Sequence, residues 1–165
     1  MHVEMYQRWL SEVWGNGDEA VARELVHEDL VDHNPLPGQP AGREGELWAA
    51  RAVRKAFPDL RFVPDVVFEH DDLVTGRWTM TGTHTGPFDL LGGLPATGRP
   101  VTMSGQEIFR VRDGQFVEVW HAEDIGALQR ALDLEPPQLM LNLAARMSAR
   151  RYRRSRVAAG RRSGG

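Results

Sequence analysis

The hydrophobic period of this chain changes once, at Pro58. Before it, apolar residues recur three and four apart, as on the buried face of a helix. Val3, Tyr6, Leu10, Val13 and Trp14 mark a helix over 3–14, which Gly15-Asn16-Gly17 ends. Asp18 is placed to cap a second helix, with Val21, Ala22 and Leu25 inward. "LVDHNPLPGQPAG" reads as loop. Leu47, Trp48, Ala50, Val53 and Phe57 mark a third helix over about 43–57. Beyond Pro58 the period is two. "LRFVPDVVFEH", "LVTGRWTMTGTHT", "VTMSGQEIFRVR" and "QFVEVWHA" read as strands, and Pro64 suggests an edge or a bulge in the first. Asp71-Asp72 and Asp113-Gly114 are hairpin turns. A short helix over 125–132 follows. Helices first and antiparallel strands afterwards predict an α+β domain. A curved antiparallel sheet wrapped around three N-terminal helices would form a cone with one open end.

Pro136-Pro137 breaks the pattern, so the domain is expected to span 1–135 and a C-terminal extension 136–165. Charge divides at the same place. All 23 acidic residues lie at or before Glu135, giving the body a net −11, and the extension carries eight arginines and no acid. An acidic body argues against nucleic acid as its ligand. The extension reads as one amphipathic helix through Leu139, Leu143 and Met147, then a disordered end. With 41% hydrophobic residues in 165, the chain can bury a sizeable core. No apolar run is long enough to span a membrane, and the N-terminus lacks a signal-peptide pattern. These features predict a cytoplasmic protein. The absence of cysteine excludes disulfides, thiolate metal sites and a cysteine nucleophile.

The polar candidates cluster at element ends. Asp32, His33 and Asn34 precede a proline, His84 ends the second strand, and Trp120 to Asp124 end the fourth. In such a sheet these ends can converge at one mouth. His27 and His70 read as solvated surface. Three chemistries fit parts of this set. His121-x-Glu123 has the spacing of two metal ligands, but a second histidine would have to come from earlier in the chain, so no metal is expected. No serine sits in a nucleophile elbow. The third is proton transfer by a carboxylate in an apolar cavity. Burial raises its pKa and makes it a better base toward a carbon acid, while neutral donors such as Asn34 and a histidine stabilise the enolate oxygen. Trp48, Trp78, Met80, Phe88, Met103 and Trp120 can wall that cavity or simply fill the core. Asp124 has its own plain reading, as the N-cap of the helix that follows.

Four segments in order, "LVDHNP", "TGTHTGPF", "PATGRPVTMSGQEIFRVRDGQFVEVW" and "DIGALQRAL", resemble the SnoaL-like polyketide cyclases of the NTF2-like superfamily. The resemblance covers about residues 3–134. It implies the NTF2-like cone, a homodimer formed through the sheet, and ring closure of a hydrophobic, poly-oxygenated intermediate by intramolecular aldol chemistry without metal or cofactor. It places the acid/base on Asp124, four residues beyond Trp120, and matches Asn34, with His33 beside it as a second catalytic candidate. Gln106 matches the first of an inward polar pair on the third strand, but Ile108 stands where the family carries a histidine. With Trp48, Trp78, His84, Phe88, Trp120 and His121, Asn34 and Gln106 complete the expected substrate contacts. The same superfamily includes epoxide hydrolases, isomerases, cofactor-free hydroxylases and non-catalytic binding modules, which stay open as alternatives.

Overall fold

Two glycines let the sheet accept its aromatic cover. A Cβ at Gly76 would collide with the ring of Tyr6, and one at Gly105 with the indole of Trp78. The structure is a computed structural model that describes residues 2–134. One compact unit comprises Met1–Leu132, and everything below concerns it. The expectations for 136–165 lie outside the described residues.

The helices form where their periodicity places them. Helix α1 (His2–Arg8) runs into a π-helical stretch, Trp9–Gly15. Helix α2 (Glu19–Leu25) is capped by Asp18, whose carboxylate accepts the Ala20 and Val21 amides at 2.9 and 3.1 Å. Helix α3 (Arg43–Ala56) presents Leu47, Ala49 and Ala50 to the interior. The strands are β2 (Arg61–His70), β3 (Leu73–Thr83), β4 (Pro100–Arg112) and β5 (Gln115–Glu123), followed by α4 (Ile125–Ala131). Pro64 lies on the edge strand β2 at a register shift, where a missing N–H does least harm.

A strand that the sequence does not signal, β1 (Val26–Asp32), follows α2 and runs into the segment read as loop. It pairs parallel with β5, so the sheet is mixed, in the order β1-β5-β4-β3-β2. Only Val26 and Leu30 of β1 are buried, which left no clear alternation to read in "VHEDLVD". The helices pack on the inner face of the curved sheet, where Tyr6, Trp9, Phe109 and Phe116 meet edge to face or stacked. The α+β architecture with a curved, open sheet is the one expected.

A bulge in β5 decides which residues reach the interior. Val111 pairs with Phe116 and Arg110 with Glu118, so Val117 is an extra residue. One extra residue flips every later side chain to the other face. Phe116 points in, and beyond the bulge Val119, His121 and Glu123 do, while Trp120 turns to the outer face.

Candidate active site

Inside the sheet lies a cavity of about 150 Å³, bounded by α3, β3, β4, β5, α4 and the loops near Gln39 and Leu90. Its walls are apolar: Trp14, Phe62, Trp78, Met80, Phe88 and Met103 among them. Its polar groups are few: Gln39, Glu46, Glu107, His121 and Glu123.

His121 organises this polar end. Its Nδ1 lies 2.7 Å from Glu123 Oε1 and its Nε2 3.1 Å from Asp32 Oδ1. With a carboxylate at each nitrogen, both ring nitrogens donate and the ring is an imidazolium. Hydrogen bonds to Asp32, then to Glu123, push its pKa up to about 10 against the opposing effect of burial. Burial pushes the Asp32 carboxyl up, but His121, the Asn34 amide and Gln39 together hold it below its ordinary value. The Asn34 amide donates to Asp32 Oδ1 at 2.8 Å, and Gln39 Nε2 to Oδ2 at 2.9 Å. The Asn34 side-chain oxygen accepts the His121 backbone N–H at 3.2 Å. β1 thus delivers Asp32 to β5, and the turn after it braces both partners.

Two further carboxyls lie deeper. Glu46 on α3 and Glu107 on β4 are each 7% exposed, and each has a buried oxygen, Oε1 and Oε2 respectively, without a hydrogen-bond partner. Burial, then the charge of Asp32, pushes Glu46 up to about 7. Burial, then the charge of Glu46, pushes Glu107 up to about 8. The Tyr6 phenol, beside Glu107, is raised by burial and by that neighbour. Among the described residues, no group of three or more His, Asp or Glu is arranged to hold a metal ion.

Of the residues expected at the site, Trp78, Phe88 and His121 line the cavity, and Asn34 braces it. The others sit elsewhere. Gln106 is exposed on the outer face of β4, because the inward frame of that strand is Val101, Gly105, Glu107, Phe109 and Val111. Trp120 stacks on His33 outside the sheet, with ring centroids 4.4 Å apart, and His33 pairs with Glu118 at 3.1 Å. Trp48 is half-buried and is not among the lining residues. His84 is fully buried behind Phe88 and Phe57, and its Nδ1 lies 3.0 Å from the Thr97 hydroxyl. Asp124 caps α4, accepting the Ala127 amide at 2.8 Å, with its side chain 51% exposed. Its chain neighbours Glu123 and Ile125 line the cavity.

Sequence reasoning missed Glu46 and Glu107. A signal existed for each. Glu107 interrupts an apolar alternation in β4, and Glu46 shares a helical face with Ala49, Ala50 and Val53.

The comparisons with known proteins identify the family. The family model of the SnoaL-like polyketide cyclases matches residues 4–132. Among solved structures, IdmH of Streptomyces antibioticus, named as a candidate polyketide cyclase, is 33% identical. The match covers 79% of this chain and 96% of that one, with a TM-score of 0.68. A candidate polyketide cyclase of Bacillus cereus is 30% identical over 80% of each chain, with a TM-score of 0.69. TsrD of Streptomyces laurentii is 26% identical over 80% of this chain and 94% of that one, with a TM-score of 0.71. None of the curated proteins matches the chain. The fold, the matched span and these relatives together establish that the chain belongs to the SnoaL-like polyketide cyclase family.

Proposed function

We propose that the chain is an acid/base enzyme that closes a ring in a hydrophobic, poly-oxygenated intermediate of polyketide type. The observation that supports this most is the cavity: an aromatic, apolar enclosure whose ionisable groups gather at one end. A carbon acid bound there loses a proton to a carboxylate at the junction of β5 and α4. The enolate then attacks a second carbonyl of the same molecule, and the proton returns to the new alkoxide. Enclosure strengthens each electrostatic contact along the way. The chain's own side chains supply all of this acid/base work, so the reading needs no cofactor.

Two carboxylates at that junction fit the base. Glu123 lines the cavity and is oriented by His121. Asp124 is the residue that the family resemblance assigns, and it lies between two lining residues. The protein is proposed to act as a homodimer through the outer face of its sheet, where Val63, Val66, Phe68 and Ile108 are exposed. The test is turnover of an aromatic poly-β-carbonyl substrate, with the products resolved by mass and retention. A ring-closed isomer, formed faster than in buffer and still formed after chelation, is expected. Hydrolysis or oxygen insertion instead would move the protein to another activity of the superfamily.

A further inference from the structure

Charges brought inside a protein are normally paired. Glu46 on α3 and Glu107 on β4 both line the cavity, and each has one buried oxygen without a hydrogen-bond partner. The nearby cation does not serve them, because both nitrogens of His121 are committed to Asp32 and Glu123. A carboxyl in this setting gains most by keeping its proton and using the O–H as a donor.

We propose that Glu46 and Glu107 stand as neutral carboxylic acids and present two O–H donors to a carbonyl or enolate oxygen of the bound molecule. The ligand class follows: a compound whose apolar body fills the aromatic enclosure and whose enolisable carbonyl, or phenolic oxygen, faces these acids. The inference rests on the ring-closing reading, to which it adds the groups that hold the developing oxyanion. Burial and the neighbouring carboxylates favour the neutral forms, while His121, and for Glu107 also the Tyr6 phenol, oppose them. Glu46 faces the charges of Asp32 and Glu123, opposed by His121. Glu107 faces those of Glu46 and Glu123, again opposed by His121, with Tyr6 beside it. Burial dominates for both. Gly76, in register with Glu107, is what lets Tyr6 lie against the sheet there.

Two measurements test this without turnover. The first is infrared spectroscopy of the whole protein near pH 6. It should show the carbonyl stretch of protonated carboxylic acids. One component should vanish in Glu46→Gln, another in Glu107→Gln, and both should fade in the wild type by about pH 9.5. The second is binding of 2,4-dinitrophenolate, which is ionised across this range. The wild type should bind it near pH 6 and lose roughly tenfold or more in affinity by about pH 9.5, as the acids ionise. The Glu46→Gln/Glu107→Gln double variant keeps amide donors and acquires no charge, so its affinity should stay within about threefold across that range. Glu107→Leu removes a donor and should bind roughly tenfold more weakly near pH 6. The proposal is overturned if the carboxylic acid bands are missing near pH 6. It is equally overturned if affinity ignores both the pH and the leucine substitution. A protein that shows the bands and the binding but closes no ring would refute the cyclase reading and leave this one standing.

Discussion

Glu107 and His121 stand opposite each other in register across β4 and β5, yet the imidazole turns away to Asp32 and Glu123. The result is a split cavity floor. On one side a cation is held by two carboxylates, and on the other burial pushes an acid up to about 8. Pairs of groups whose surroundings drive their pKa values apart are what acid/base chemistry requires.

The His121 cluster should make stability depend on alkaline pH. The folded imidazole titrates at about 10, above its ordinary 6.5. A raised histidine contributes fully below its unfolded pKa and loses that contribution as pH rises through the folded one. Wild type should therefore exceed His121→Asn by about 2–4 kcal/mol near pH 6, with the gap closing toward pH 10. Urea titrations of both proteins across that range are the check. A constant gap would mean that the ring is not charged.

Glu46 should also lower stability as pH rises, but by disfavouring a buried charge rather than by losing a pairing. Its carboxyl is raised from 4.5 to about 7, so the group favours the folded state only below its unfolded pKa. That benefit is lost as pH climbs through 7. Glu46→Gln should match wild type near pH 4.5 and become more stable by roughly 1–3 kcal/mol above pH 7. Thermal melts at both ends of the range would show it.

The junction carboxylates can be separated by paired substitutions. Asn caps a helix about as well as Asp, so Asp124→Asn should leave the melting temperature unchanged. If Glu123, which lines the cavity, takes the proton, Glu123→Gln should lower kcat by about 10²–10⁴. Should Asp124→Asn carry that loss instead, the role passes to the capping residue.

Gly76→Ala tests the packing beneath the acids. The new methyl group would run into the Tyr6 ring, an overpacking that costs about 1–3 kcal/mol. The same substitution at Gly114, where a Cβ meets open space, should cost less in clash and act only through its positive φ of 77°.

The outer face predicts a change in assembly. Phe68, Thr75, Ile108 and Trp120 form one row across four strands. Ile108→Glu should convert a dimer to a monomer in sedimentation runs while moving the melting temperature little. A wild type that sediments as a monomer would refute the homodimer directly.

The architecture was legible because each helix and four of the five strands carry their own period. The strand β1 was not, since it buries only two side chains and takes its partner from the far end of the chain. The cavity wall was half legible. Trp78 obeys the alternation of β3 and Phe88 enters from the loop after it, whereas Trp120 lies just past the extra residue Val117, which reverses the inward frame. Glu46 and Glu107 were in plain view within apolar faces. What hid them is that glutamate is a residue type usually found exposed, although burial can keep a carboxyl neutral.

The parallel pairing of β1 with β5 also sets when the site exists. Asp32 and His121 are 89 positions apart, and the last strand must dock before they can meet. Closing so long a loop is an entropic cost that local contacts do not offset beforehand. During synthesis, the helices and the β2–β3 hairpin can form early, but the ion pair must wait until β5 has left the ribosome. Until then, the inner aromatic face lacks its last strand and is the part of the nascent chain most exposed to aggregation.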